Sequence, residues 1–184
     1  LDGVTTLYAP NNNITNNLSE IVSGLANLVN LYLNNNSISR DISAVSGLTN
    51  LVNLSLNNNS ILGDISAVSG LTNLINSYLH NNSISGDISA VSGLTKLVNL
   101  SLNNNALSFT YSQFPAWSGN NYDLSSCVLT SQEVGDLLLA AANGGMNNCT
   151  YSIDGTNPAP PSTQEVTDAI DTLLGNEVTL YVNT

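Results

Sequence analysis

The sequence predicts an α/β solenoid, a chain wound into successive rungs that each contribute one short parallel strand to a concave face. Three observations lead there. Leu25, Leu48, Leu71 and Leu94 open copies of nearly the same 23-residue segment, and a fixed period of roughly 20 to 29 residues marks a solenoid. The step then lengthens to 29 residues, from Tyr122 to Tyr151 to Leu180, while the strand pattern persists. The surface is polar without being charged: 31 of 184 residues are Asn and only 8% are charged, against about a quarter in an ordinary soluble domain.

Residues 1–24 form a looser first copy, with Leu1, Val4, Leu7, Asn12, Ile14, Leu18 and Ile21 in equivalent places. The next copies read LANLVNLYLNNNSISRDISAVSG, LTNLVNLSLNNNSILGDISAVSG and LTNLINSYLHNNSISGDISAVSG, and a fifth starts LTKLVNLSLNNNAL before diverging. In each, the L-x-L pair alternates like a short half-buried strand, one side chain in and the next out. Asn36, Asn59, Asn82 and Asn105 follow three residues later. They are expected to turn the chain and to stack as a buried ladder, each amide bonding to its neighbours. Ile42, Val45, Leu48 and their equivalents then close the convex side.

This grid resembles the leucine-rich repeat family. NNSISGDIS at 81–89 is similar to the plant-type pattern N-x-L-x-G-x-I-P with Ser in the place of Pro, and the Asp before Ile is similar to shorter bacterial variants. The resemblance implies a parallel sheet on the concave face, short turns on the convex face and a role in recognition. The fold hosts many functions, so the function has to be argued from surfaces.

Residues 1–110 are read as the short-repeat region, and 111–184 as an irregular aromatic segment followed by longer strand–helix repeats of the same solenoid. Tyr122-x-Leu124-x-x-Cys127 repeats the strand pattern with Cys in the Asn position. Thr130-Ser131-Gln132-Glu133 and Ser162-Thr163-Gln164-Glu165 each read as a capping box. Val134, Leu137, Leu138 and Ala141 form one helical apolar stripe, and Val166, Ala169, Ile170 and Leu173 form another. Asn157-Pro158-Ala159-Pro160-Pro161 reads as a stiff connector. Both helices resemble those of longer, helix-bearing leucine-rich repeats. Phe109, Tyr111, Phe114 and Trp117 are either a plug where the repeat changes or an aromatic platform for a ligand.

Charge excludes several partners. Arg40 and Lys96 face 13 carboxylates for a net −11, so nothing supplies the cationic footprint that nucleic acid or an anionic membrane surface requires. No apolar run approaches the 18 or so residues that span a bilayer. One His, one Lys and one Arg leave little for acid–base chemistry, so no enzyme and no cofactor is expected.

The candidate binding surface is the concave face. Its outward rows run Thr6, Asn30, Asn53, Asn76, Asn99, then Tyr8, Tyr32, Ser55, Tyr78, Ser101, then Pro10, Asn34, Asn57, His80, Asn103. Amides beside flat rings suit uncharged hydroxylated ligands such as glycans, or another protein's backbone; a merely solvated face is the alternative. Asp41, Asp64 and Asp87 recur once per rung and read as caps of the turns that follow, with calcium the weaker reading. Cys127 and Cys149 are open between a disulfide and two buried free thiols. Asn35, Asn58, Asn81 and Asn148 open weak acceptor triplets for glycosylation. His80 reads as a surface variant in a row of Asn.

No capping unit is recognised. Leu1 enters a repeat directly and the chain ends in a strand expected at 178–182, without Met or signal peptide at its start, as in a fragment or processed product. Both terminal strands are expected to present unpaired edges, covered by flanking parts of a longer polypeptide or by another copy head to tail. These readings point to a non-enzymatic extracellular structural and recognition protein at a cell surface or on a virion, with protein chains, copies of itself or glycans as partners. The uncharged surface and the T-S-Q-E-V helix resemble bacterial surface proteins and phage fibre or appendage proteins. An adhesin reading glycan or protein is the alternative, and an ice or mineral-surface binder a weaker one.

Overall fold

The computed structural model describes residues 3–110, 114, 117 and 119–184. Eight three-residue strands make one parallel sheet. They are β1 (Thr6–Tyr8), β2 (Asn30–Tyr32), β4 (Asn53–Ser55), β6 (Asn76–Tyr78), β8 (Asn99–Ser101), β10 (Asn121–Asp123), β11 (Thr150–Ser152) and β12 (Thr179–Tyr181), hydrogen-bonded in that order. Equivalent residues pair across every junction, Asn30 with Asn53 and Thr150 with Thr179 alike. The short and the long repeats therefore share one sheet, as in a leucine-rich repeat solenoid.

The core is what the L-x-L alternation dictates. Leu28, Leu31, Leu33, Leu51, Leu54 and Leu56 are completely buried, and the buried residues form one continuous cluster from Leu18 to Val178. Each rung passes through water-inaccessible space only because the next rung covers it. Tyr122 and Tyr151 take the inward strand position in the long rungs, and Ser77 takes it in β6. The Ser77 hydroxyl is buried without a hydrogen-bond partner.

A second sheet was not anticipated. β3 (Ser39–Asp41), β5 (Ser60–Asp64), β7 (Ser83–Asp87) and β9 (Ala106–Ser108) pair in parallel along the flank. Three-ten turns at Ile42–Val45, Ile65–Val68 and Ile88–Val91 follow the first three of these strands and bury the Ile and Val of each ISAV segment. The first rung closes instead with a short helix, α1 (Leu18–Ile21).

The convex face of the long rungs is carried by α2 (Ser131–Asn143) and α3 (Gln164–Gly175), which pack on each other. Thr130 and Glu133 make the expected reciprocal capping box of α2. The cap of α3 differs from the expectation by one residue. Thr163, not Ser162, is the N-cap and accepts from Val166 N–H. The N3 residue there is Val166, which has no carboxylate to return the bond.

The aromatic segment is a plug. Phe109, Phe114, Trp117 and Tyr122 stack in series with centroids 5.4, 5.0 and 4.7 Å apart, and all are nearly inaccessible. Trp117 Nε1 and the Tyr122 hydroxyl donate to the carbonyls of Leu94 and Leu97, so their polar atoms are satisfied inside. None of these four rings offers a platform. Tyr111 lies outside the described residues.

Candidate functional site

The corner Asn residues do not form an amide-to-amide ladder; they stitch backbone to backbone. Asn82 Nδ2 donates to the carbonyls of Leu56 in the rung before and Leu79 in its own, while its Oδ1 accepts from Ile61 N–H at 3.0 Å. Asn36, Asn59 and Asn105 repeat this scheme. Backbone groups freed where the chain turns inward would otherwise be buried unpaired.

Amide ladders occur instead in two outward-facing rows, the first of them half-buried. Asn99, Asn76 and Asn53 each donate Nδ2 to the Oδ1 of the preceding rung's Asn at 2.7 Å, and the row ends on Asn30, which donates to Thr6 Oγ1. A second row links Asn104, Asn81, Asn58, Asn35 and Asn11 at 2.6 to 2.8 Å. All five of these residues sit at φ near +56°, a left-handed corner that Asn tolerates better than other side chains. Nδ2 of Asn35, Asn58 and Asn81, where a glycan would attach, is the donor that holds this row together. Asn148 stands outside both rows and donates to Asn147 Oδ1.

Between them runs the row Tyr8, Tyr32, Ser55, Tyr78, Ser101, Asp123, in register across the sheet. Tyr8 and Tyr32 meet edge to face at 5.5 Å. Ser55 and Ser101 point outward yet are only 8% and 7% exposed, because larger neighbours on either side shade them. The face is thus notched, large beside small. Ser55 and Ser101 donate to Asn57 Oδ1 and Asn103 Oδ1 at 2.9 and 2.8 Å. Each oxygen keeps a second lone pair, but Asn57 is itself only 8% exposed, so Asn103 is the one of the two amides open to a ligand.

His80 Nδ1 lies 3.0 Å from Ser101 Oγ. The same hydroxyl lies 2.8 Å from Asn103 Oδ1, so His80, Ser101 and Asn103 form one chain of hydrogen bonds whose direction at Nδ1 follows the ring tautomer. Burial lowers the His80 pKa, and Asp123 only partly opposes that. The ring is therefore neutral at pH 7 and built into the notch beside Tyr78, not a free surface variant.

Asp41, Asp64 and Asp87 are caps. Each Oδ1 accepts from the N–H two residues on, Ser43, Ser66 and Ser89, at 2.7 to 2.8 Å. The bond from Ser66 N–H is also the main reason Asp64 titrates below the ordinary carboxylate range. Asp41 and Asp64 lie against Gly63 and Gly86 of the next rung so closely that a Cβ there would overlap the carboxylate. Among the described residues no three His, Cys, Asp or Glu side chains are grouped to hold a metal ion.

Cys127 and Cys149 are buried free thiols. Of the two alternatives left open by the sequence, the structure has the free thiols. Cys149 directly precedes β11, whereas Cys127 occupies the corner beyond the far end of β10, so the strand length separates them and no bridge of ordinary geometry spans it. Burial pushes their thiols up to about 12 and 11, which makes both poor nucleophiles.

Asn157 escaped the sequence reading, which placed it in a connector. It is 1% exposed, accepts from Cys127 N–H and donates to the carbonyls of Leu124 and Ile153. It is the corner Asn of the β11 rung. Its signal was present as an Asn six residues after Tyr151, one further than the five from Leu31 to Asn36.

Residues 26–76 match the family model for leucine-rich repeats, in two copies. No curated protein gives a significant match. Among solved structures, the chain is similar to the plant peptide hormone receptor RGFR1 in complex with RGF2, at TM-score 0.68 and 23% identity over 100% of this chain and 29% of that one. It is similar to a leucine-rich repeat protein of Leptospira interrogans, at TM-score 0.61 and 22% identity over 97% of this chain and 45% of that one. The ectodomain of the receptor kinase SOBIR1 from Arabidopsis thaliana aligns at TM-score 0.55 and 21% identity, covering 84% of this chain and 72% of that one. The shared property is the solenoid fold. No helix among the described residues is long and apolar enough to cross a membrane.

Proposed function

We propose that this protein is a non-enzymatic, extracellular recognition module whose concave face takes an extended segment of another protein. The observation that carries this is the notched row. Tyr32 and Tyr78 supply apolar ring surface at low entropic cost, and Asn103, partly exposed on the same face, presents amide N–H donors, whereas Asn57 is buried. Backbone carbonyls of a bound strand suit such donors, and the absence of cations on this face disfavours anionic ligands. The likeness to a receptor structure titled as a complex with RGF2 is consistent with this.

A displayed peptide library selected against the chain, with the Tyr32→Ala/Tyr78→Ala double variant as counter-screen, tests the site. Selected peptides should bind the variant about tenfold more weakly or worse, as expected for aromatic contacts of a few kcal/mol. Peptides that bind both proteins equally would remove the site. A neutral glycan that shows the same dependence in a glycan array would move the assignment to an adhesin.

A second reading rests on the ends of the sheet. β1 and β12 have the same sequence, Thr-Leu-Tyr, with the same pattern of a half-buried Leu between exposed Thr and Tyr. A β1-like rung placed on β12 would set Thr on Thr, as Thr150 pairs with Thr179, and Leu on Leu, as Leu7 pairs with Leu31. Head-to-tail stacking of copies into a filament or appendage follows from such a heterologous contact. Sedimentation of the 184-residue chain decides it, and a monodisperse monomer at high concentration excludes it. Ice-surface binding is the weaker alternative, because the rows mix Asn, Tyr and Ser. Absence of thermal hysteresis would dispose of it.

A further inference from the structure

The last three rungs carry a feature that the short repeats lack. Two residues before each strand, the short rungs place a buried leucine, at 28, 51, 74 and 97. The equivalent residues before β10, β11 and β12 are Gly119, Asn148 and Glu177. Asn148 and Glu177 are exposed and adopt left-handed backbone, at φ +47° and +62°, which turns their side chains out where a leucine turns in. At Gly119 a Cβ would collide with the Val98 carbonyl, so that position stays bare.

The result is a hollow of about 360 Å³ at the head of the three strands, lined by Gly119, Asn120, Asn148, Thr150, Glu177 and Thr179, with Cys149 at its edge. The hollow is broad and open to water, so a ligand seated in it would keep one face solvated. Its walls are almost entirely hydrogen-bonding groups: two amides, two hydroxyls and one carboxylate. Asn148 adopts the left-handed conformation as readily as the corner asparagines do, while Glu177 adopts it at a cost.

We infer that this hollow is a binding site for a neutral saccharide, separate from the tyrosine row and independent of what that row binds. An ionised carboxylate only accepts hydrogen bonds and can take two from vicinal hydroxyls, while Asn and Thr both donate and accept. That set matches the alternating donors and acceptors of a pyranose edge. Anions are excluded by Glu177 and by the character of residues 111–184, which carry eight acids and no base. An apolar ligand finds no apolar wall.

The test uses the full chain, with a panel of neutral methyl glycosides as probes and methyl glucuronide as the anionic control, followed by amide NMR shifts. At least one neutral glycoside should shift the amides of Asn120, Asn148, Thr150 and Thr179, with weak affinity because the hollow is open. Glu177→Gln, which keeps shape and removes charge, should weaken binding about tenfold or more. Thr150→Tyr, which fills the hollow from an outward strand position, should abolish it, while Tyr32→Ala/Tyr78→Ala should leave it unchanged. If no neutral glycoside moves those amides at millimolar concentration, or if binding survives both Glu177→Gln and Thr150→Tyr, the inference fails. Loss on the tyrosine variant instead would place the saccharide on the other half of the face and equally overturn it.

Discussion

In the short rungs the corner after the strand is turned by an asparagine, and in the β10 rung by a cysteine. The amide of Asn105 donates to two carbonyls and accepts from Ile84 N–H. The Cys127 thiol can only donate weakly, reaching the Leu102 carbonyl at 3.4 Å. The acceptor it lacks is replaced by backbone: the Cys127 carbonyl itself receives Leu107 N–H at 3.1 Å. Ser126 and Val128, on either side of it, are left-handed, at φ +53° and +63°, which for a β-branched residue is strained. Asn157 of the following rung accepts from Cys127 N–H and Leu129 N–H, as Asn105 accepts from Ile84 N–H in the short rungs. What differs is the acceptor turned toward the preceding rung: a side-chain amide in the first region, a backbone carbonyl between two left-handed residues in the second.

The comparison can be broken most forcefully at the amide. Asn82→Ala should cost about 3 kcal/mol in denaturant unfolding, since it orphans two carbonyls and one N–H inside the corner. Cys127→Ala should cost at least about 1 kcal/mol less, because little hydrogen bonding is lost; equal costs would mean that the corner is not what distinguishes the regions. Ser77→Leu restores the leucine grid between Leu54 and Leu100 and removes an unpaired buried hydroxyl. It should stabilise by about 2 kcal/mol, and a loss of stability would show that the space has closed. Val128→Asn relieves the left-handed strain at a residue that is 72% exposed, and should raise stability by about 1 kcal/mol.

The smallest effect is a pH dependence. His80 is the single histidine and its folded pKa lies below its ordinary value because it is partly buried. The unfolded chain then binds more proton near pH 6.5, so His80 makes stability fall as pH drops from 7 toward 5. The lowered carboxylates of Asp64, Asp87 and Glu133 act only at more acidic pH. Burial raises the latter two, but hydrogen bonds to Asp87 from Ser89 and Thr110, and to Glu133 from Thr130 and Phe109, outweigh it. His80→Asn should flatten the slope between pH 5 and 7 and leave the acid limb unchanged.

Much of this was legible from local pattern. The leucine grid and the strand rows follow from spacing alone, because side chains two apart share a face. The flanking sheet was not legible, since Ser-Ile-Leu-Gly-Asp and Ser-Ile-Ser-Gly-Asp read as turns and become strands only by pairing between rungs about 21 residues apart in sequence. The amide ladders were placed on the wrong asparagine for a related reason. Neighbouring positions 35 and 36 look alike as letters, and only the backbone turn decides which side chain faces its own kind. The hollow did leave a trace, in that Asn148 and Glu177 stand 29 residues apart at a position that is leucine in the short rungs.

Both outward-facing amide rows run one way, with every N–H aimed at the earlier rung and every C=O at the later one. Side-chain dipoles aligned like this add, as peptide dipoles do along a helix. Their negative pole points toward the acid-rich rungs and their positive pole toward β1. The coil is consequently polarised along its axis in the same sense as its formal charges, and a cationic molecule drifting past would be drawn more strongly to the acid-rich extremity than to the other.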